Sequence, residues 1–370
     1  MKKKICHLTD SHKYNDQRIL YKECVSLVQQ GYDVTLVACF VPYGLKEIFG
    51  VKLIEFPLIP IKNRIIYGNC KMYQTALKIN AEIYHIHDPE LLITAIKLKK
   101  SGRKVIYDAH ENYSFQIKLR PYIPMIFKNL SSRVVRMIED YVSKRIDAVI
   151  LPCTIFENEE LFLKKCKKVV IVGNEPIIPH TLEFKMLIKS NKICYVGSLT
   201  SERGISQLIK AAFYAKAQLI LAGTFVPQEY YNIVKQYPEF SCVDYRGEVS
   251  LEESRGIIDE CYIGVSTLLN TGQYPMINNL PTKVYEYMSL GKPVIISNFK
   301  YVEKVNNSLQ FAITVNPESV EEICCAIEKL FNDYDKAKEL GLNGFNLIKS
   351  IYNWDISKKR LLDLYDSLNM

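Results

Sequence analysis

The stretch Asn278-Asn-Leu-Pro-Thr-Lys-Val-Tyr-Glu-Tyr-Met-Ser-Leu-Gly-Lys-Pro-Val-Ile-Ile296 decides how this chain is read. It opens polar and turn-rich, takes up helix periodicity from Lys283 to Leu290, and breaks at Gly291. Pro293 then leads into an apolar strand, Val294 to Ile296. Loop, helix start, glycine stop and buried strand make half of an α/β unit. The first turn of the helix carries the chemistry. Free backbone N–H groups there favour an anion, and Lys283 adds a full charge. Glu286 follows one turn later, where a carboxylate suits two vicinal hydroxyls. The pair fits a ligand with both a diphosphate and a diol, such as a sugar nucleotide. An ordinary surface helix with an i, i+3 Lys–Glu pair would use the same residues.

Outward from that stretch, strands and helices alternate. In the first half, strands are expected at Lys4–Leu8, Asp33–Ala38, Val51–Phe56, Ile83–His87, Lys104–Asp108 and Ala148–Leu151, with helices at Asp16–Gly31 and Tyr67–Asn80. In the second half, strands are expected at Lys192–Val196, Gln218–Ala222, Cys242–Tyr245, Ile263–Ser266, Pro293–Ser297 and Ala312–Val315. Their helices fall at Gly204–Ala215, Gln228–Tyr237, Leu251–Glu260, Thr282–Leu290, Ser319–Asn332, Asp335–Ile348 and Asn353–Ser367. Such alternation predicts parallel sheets covered on both faces. Val169–Asn191, punctuated by Gly173, Pro176 and Pro179, reads as a linker. The fold class is therefore α/β, with two Rossmann-like doubly wound domains. The main cleft is expected between them, beyond the carboxyl ends of the strands.

Composition narrows the classes. The 370 residues are 48% hydrophobic and 24% charged, as in globular proteins generally. No apolar run approaches the ~20 residues of a membrane span. The basic start, Met1 to Ile5, resembles the head of a signal peptide, but His7, Asp10, His12, Lys13, Asp16 and Arg18 interrupt any apolar core. Eleven cysteines without a CxxC pair fit buried thiols in a reducing cytoplasm. No metal cluster is expected, and His85 reads as structural. Residues 1–180 hold 28 Lys and Arg against 18 Asp and Glu, so the positive charge lies in the first half. It suits an anionic membrane, a nucleic acid or simple solvation. The absence of GxGxxG after the first strands, of GxxxxGK[ST] and of GxSxG weakens or removes a dehydrogenase, a P-loop nucleotidase and an α/β-hydrolase.

Four stretches fall at strand ends: Tyr84-His-Ile-His-Asp-Pro-Glu90, Tyr107-Asp-Ala-His-Glu111, Tyr195-Val-Gly-Ser-Leu-Thr-Ser-Glu-Arg-Gly204, and the opening stretch. Together they resemble the retaining glycosyltransferases of the GT-B fold, family 4, a large group of bacterial cell-surface assembly enzymes. The early stretch from His7 to Glu23 looks like one branch of that family. Arg145 to Pro152, Val170 to Asn174 and the Asn353-Trp354 tail also match, so the resemblance covers most of the chain.

The resemblance implies domains at 1–175 and 192–352, a linker at 176–191, and a C-terminal helix, 353–370, crossing back to the first domain. It implies that the donor is held by Gly197, Ser198, Arg203, Asn278, Thr282, Lys283 and Glu286. Catalytic roles would fall to His110, Arg203 and Lys283. In the family a basic residue often stands where this chain has Ser198, and a first glutamate where it has Asn278. His12, Asp16, Arg18, His87 and Asp88 would face the acceptor; Asn15 or Asp16 also suits a helix cap. The enzyme would move a hexose or N-acetylhexosamine from a nucleotide sugar, with UDP the expected nucleotide. The acceptor would be a polyprenyl-linked or growing surface glycan, and no metal, cofactor or nucleic acid would take part. A nucleotide-sugar 2-epimerase of the same fold, or an inactive nucleotide- or glycan-binding relative, are the alternatives. Lys118 to Arg145 mixes basic and apolar residues, as in a peripheral membrane segment at the inner face of the cell membrane. A surface helix with a buried apolar stripe would read alike.

Overall fold

The computed structural model describes residues 3–60, 63–110, 113, 117, 124–155, 166–179, 181–272 and 274–369. The chain divides into two compact units. One is Met1–Asn174 with Trp354–Met370, the other Glu175–Asn353.

The first unit is built on an eight-stranded sheet. Its strands are β1 (Lys4–Lys13), β2 (Asp33–Cys39), β3 (Glu47–Ile48), β4 (Val51–Glu55), β5 (Ile83–Ile86), β6 (Lys104–Asp108), β7 (Ala148–Leu151) and β8 (Val169–Ile171). They lie in the order β3-β4-β2-β1-β5-β6-β7-β8. All pairings are parallel except the short β3–β4 edge. Side chains alternate between two buried faces. Cys6, Leu8, Tyr84, Ile86, Val105 and Tyr107 pack with Met72, Ala76, Leu92 and Ala95. Ile5, Ile83, Ile106 and Ile150 pack on the other side with Leu20, Leu27, Trp354, Leu361 and Tyr365. The C-terminal helix, Trp354–Asn369, is thus part of this unit's core. Trp354 is 3% exposed, and its Nε1 donates to Ser26 Oγ at 3.0 Å.

The second unit has a six-stranded parallel sheet. Its strands are β9 (Lys192–Val196), β10 (Gln218–Ala222), β11 (Val243–Gly247), β12 (Ile263–Ser266), β13 (Val294–Ser297) and β14 (Ala312–Val315). The order is β11-β10-β9-β12-β13-β14. Helix Thr282–Ser289 buries Val284, Tyr285, Tyr287 and Met288 against one face. Gly264 lets it approach, since a Cβ there would stand 2.3 Å from the Tyr287 ring.

Four expectations change. Val169–Ile171, read within the linker, is a sheet strand paired with β7, so the unit boundary falls at Asn174/Glu175. The first strand continues past Leu8 to Lys13 through a register shift. The single helix expected over Asp16–Gly31 opens as a widened, π-type stretch, Gln17–Cys24, before α-helix Val25–Gln29. Asp16 is its cap, its Oδ1 accepting from the N–H groups of Arg18 and Ile19. Helix Lys300–Leu309 is absent from the sequence reading, because Val302 is its one buried residue and six of its ten residues are polar or charged.

Replacing Trp354 by Ala should cost about 3–5 kcal/mol, the usual range for emptying a large aromatic site. Chemical denaturation followed by far-ultraviolet circular dichroism reads this. A loss well under 1 kcal/mol would mean that the C-terminal helix does not anchor the first unit.

Candidate functional site

In the second unit, a cavity of about 480 Å³ lies beyond the carboxyl ends of β9 and β10. Gly197, Ser198, Arg203, Thr282, Lys283 and Glu286, far apart in sequence, all line it. Asn278 does not; it is half-buried in a two-residue strand, Ile277–Asn278. Sequence reasoning missed Gly223, Thr224, Glu248, Val249, Ser250 and Leu251, which also line the cavity. One signal for them was legible. Ser250 and Glu253 form a reciprocal capping box, the S-x-x-E pattern that opens helix Leu251–Glu260. A larger groove of about 760 Å³ lies near the opposite strand ends, with Lys216 as its one charged lining residue.

Two glycines make this cavity possible. Gly204 has φ +69°, and a Cβ there would stand 2.1 Å from the Thr267 carbonyl oxygen. It turns the chain so that Arg203 precedes helix Ile205–Tyr214. Gly223 has φ +136°, and a Cβ would meet Gly197 O at 2.0 Å. The loops after β9 and β10 therefore touch backbone to backbone.

The cavity is cationic. Lys283 is 6% exposed; its ammonium donates to Tyr195 Oη and lies 3.7 Å from the centre of that ring. Arg203 Nη1 donates to the same hydroxyl at 3.4 Å. Neither cation has an ion-pair partner among the described residues. Burial, then the charge of Arg203, hold Lys283 well below the usual lysine range. Two such groups at a helix start suit an anion, whose binding would offset their desolvation cost.

In the first unit the expected acceptor-side residues separate into two kinds. His12 and Asp16 keep side-chain exposures of 31% and 27%. His12 Nδ1 stands 3.4 Å from Asp16 Oδ2, and its Nε2 3.4 Å from Asp88 Oδ1. Burial acts against the His12 imidazolium, but the Asp16 hydrogen bond and the Asp88 charge raise its pKa. Arg18, His87 and Asp88 are buried, at 5%, 2% and 3% exposure, so they support the site from behind rather than line an open surface. Arg18 grips Asp108 with Nε at 3.0 Å and Nη2 at 3.2 Å and donates to the carbonyls of Val172 and Gly173. Asp88 accepts from Thr9, Ser11 and the Asp10 N–H. Asp10, not among the expected site residues, is buried with neither carboxyl oxygen hydrogen-bonded among the described residues, and burial, then Asp88 and Glu90, push it up to about 7.

His110 is the candidate catalytic side chain of this unit, 21% exposed. Its Nε2 lies 3.0 Å from His87 Nδ1 and 3.3 Å from Asp108 Oδ2. Burial lowers it to about 4 despite Asp108, so it is neutral at pH 7. A cluster of metal-type donors was not legible in the sequence, since the residues are distant in the chain. The fold nevertheless brings donor atoms of His7, Glu23, His85 and His87 within 4.8 Å of one another.

Comparison with known proteins fits this geometry. Residues 180–347 match the family Glycosyl transferases group 1, and residues 17–170 match Glycosyltransferase Family 4. An uncharacterized glycosyltransferase of Methanocaldococcus jannaschii is 21% identical over 92% of this chain and 91% of its own. The chain is a glycosyltransferase. In fold it is similar to sucrose-phosphate synthase from Thermosynechococcus elongatus, with a TM-score of 0.73 at 16% identity over 99% of both chains. It is likewise similar to Anabaena HepE in complex with UDP-glucose, with a TM-score of 0.71 at 15% identity over 98% of this chain and 99% of that one. The two α/β units of this glycosyltransferase are thus those of the GT-B fold.

The Lys283 environment has a consequence for stability and binding. A lysine whose folded pKa is depressed disfavours folding below the unfolded value, and stability rises as pH climbs from the folded toward the unfolded pKa. Lys283→Met should therefore be at least as stable as the parent enzyme near pH 7. It should also bind pyrophosphate at least tenfold more weakly, as loss of a charge-assisted bond of ~1.5–3 kcal/mol requires. Differential scanning calorimetry and isothermal titration check both halves; intact pyrophosphate affinity would remove Lys283 from the anion site.

Proposed function

We propose that this glycosyltransferase takes a UDP-sugar as donor and transfers a hexose or N-acetylhexosamine, with retention of configuration and without a metal ion. The observation that carries this reading is the single cavity lined by Gly197, Arg203, Thr282, Lys283 and Glu286. Arg203 and Lys283 bind the diphosphate and stabilise it as leaving group. Glu286 accepts hydrogen bonds from the ribose hydroxyls. His110, neutral and partly exposed, serves the transferred sugar. Asn278 lies outside the cavity lining, so donor affinity rests on the other six residues. The solved Anabaena relative binds UDP-glucose in the same fold, which supports the choice of nucleotide.

The acceptor in this reading is a polyprenyl-linked or growing surface glycan, met at the inner face of the cell membrane. No helix among the described residues is long and apolar enough to cross a membrane. Helix Met125–Ser143, however, leaves Met125 and Ile126 more than four-fifths exposed, with Phe127, Leu130 and Met137 also on the surface. Lys128, Arg133 and Arg136 stand among them, a composition suited to an anionic interface. Lys118, Arg120 and Ile123, part of the same expected segment, lie outside the described residues. A lipid-facing helix favours a lipid-linked acceptor over the free nucleotide sugar of an epimerase.

Glu286→Ala should weaken UDP and uridine alike by at least tenfold in calorimetry, whereas Arg203→Ala should weaken UDP far more than uridine. Equal affinities in the Glu286 variant and the parent would remove the ribose role. Transfer from a labelled UDP-sugar should persist in EDTA; complete loss, restored by magnesium or manganese, would refute the metal-free mechanism.

Membrane affinity is separately measurable. The enzyme should co-sediment with anionic liposomes, and less so at high salt, because such attraction is screened within ~8 Å at physiological ionic strength. It should fall again when Lys128, Arg133 and Arg136 become Gln. Indifference to anionic vesicles at low salt would point to a soluble acceptor.

A further inference from the structure

The first unit buries three histidines in one line that leads to a fourth, His110. His7 and His85 are register partners on β1 and β5, and His87 follows two residues on, so the three share a face. His7, His85 and His87 are 0–2% exposed. Tyr365, from the C-terminal helix, closes the inner end. Its hydroxyl lies 2.9 Å from His85 Nδ1 and 3.3 Å from His7 Nε2. His7 Nδ1 is 2.9 Å from His87 Nε2, and His87 Nδ1 is 3.0 Å from His110 Nε2. From His85 to His110, each group is hydrogen-bonded to the next.

A neutral imidazole carries one N–H and one lone pair, so the direction of one bond sets all the others. Burial lowers His7 and His85 far below the usual histidine range, which keeps them neutral. With one proton on each ring, two directions are available. In the inward one, His110 Nε2–H donates to His87, His87 to His7, His7 to Tyr365, and Tyr365 to His85. His85 is then left with its proton on Nε2, which is buried with no hydrogen-bond partner among the described residues. An unmade buried donor costs ~1–3 kcal/mol. In the outward one, His85 Nδ1–H donates to Tyr365, Tyr365 to His7 Nε2, His7 Nδ1–H to His87, and His87 Nδ1–H to His110. Only a lone pair of His85 is then unmet. Glu23 Oε2 lies 3.8 Å from His85 Nδ1 and 3.9 Å from His7 Nδ1, beyond hydrogen-bond reach, so it adds no bond in either direction. Asp108 Oδ2, at 3.6 Å from His87 Nδ1 and 3.3 Å from His110 Nε2, stands beside the proton shared in that gap in both directions; its slightly shorter distance to His110 is set against the unmade buried donor that the inward direction leaves on His85.

We infer that Tyr365, His7 and His87 are positioning residues that hold His110 as its Nδ1–H tautomer, so that His110 meets the reacting sugar as a hydrogen-bond donor and not as a base. This rests on the role proposed above for His110. It adds the protonation of the ring, the source of that protonation in a helix from the far end of the chain, and the sense of the hydrogen bond. The same nitrogens are within reach of a metal ion, but the 2.9 Å contact between His7 and His87 occupies two of them. Arg18 Nε, 3.0 Å from Glu23 Oε1, also places a positive charge against the carboxylate.

The experiment is long-range ¹H–¹⁵N correlation on the full chain labelled with ¹⁵N-histidine near pH 7, with His110 assigned from the His110→Gln spectrum. No donor or acceptor is needed, so the result stands apart from the transfer assay. His7, His85, His87 and His110 should all appear as Nδ1–H tautomers, against the Nε2–H form preferred by imidazole in water. Tyr365→Phe should release His110 toward Nε2–H and lower kcat about tenfold with little change in donor KM. A merely structural tyrosine would lower the melting temperature and leave the His110 tautomer unmoved, which would overturn the inference. So would His110 as Nε2–H or imidazolium in the parent enzyme, or stoichiometric zinc lost on His85→Gln in metal analysis of the purified protein. Failure of transfer with a well-formed Nδ1–H line would instead count against the donor reading alone.

Discussion

Parallel strands all end on the same edge of their sheet, and each end exposes a loop where side chains from distant segments meet. That constraint organises both units. In the first, adjacent strands β1, β5 and β6 set His7, His87 and Asp108 side by side, so three segments, two of them separated by tens of residues, supply one cluster. In the second, the ends of β9 and β10 and the start of helix Thr282–Ser289 place Gly197, Gly223 and Lys283 around one cavity. Antiparallel hairpins would scatter these groups over both edges.

The two sites handle buried charge differently. The cavity of the second unit keeps Lys283 and Arg203 without ion-pair partners among the described residues, at a cost in stability that an anionic ligand would relieve. The first unit pairs its buried guanidinium internally. Arg18 holds Asp108 well below the ordinary carboxylate range, while burial and the Asp108 charge raise Glu23 well above it. Arg18 Nε thus lies 3.0 Å from each of two carboxyls whose pKa values are pushed in opposite directions. Burial likewise holds His7, His85 and His110 below the usual histidine range.

The C-terminal helix shows how remote sequence enters such a site. Trp354 and Leu361 attach it through apolar packing against the first sheet. Tyr365, one turn beyond Leu361, thereby reaches His7 and His85. Packing supplies the affinity of the helix for the unit, and its one buried hydroxyl supplies the polar contact. The surface helix Met125–Ser143 is the opposite case, with much of its apolar side outside the core.

Period and punctuation in the chain were enough to establish the alternation of strands and helices and the two α/β halves, and motif resemblance pointed to Gly197, Arg203, Thr282, Lys283 and Glu286. These signals are local: glycine where the backbone must turn, apolar alternation where a strand is buried, a cation at a helix start. Tertiary structure alone decided that Arg18, His87 and Asp88 sit behind the site, that Asn278 lies outside the cavity, and that Val169–Ile171 belongs to a sheet. It also decided that Gly223 and Glu248 line the same cavity as Lys283, and that Tyr365 joins His7 and His85. Burial and partner choice depend on which segments pack side by side across hundreds of residues, and local sequence carries no measure of that distance. The direction of the protons along the histidines depends on it most, because it is set by the burial of His85 Nε2 and by the contact of His85 Nδ1 with a tyrosine on the last helix.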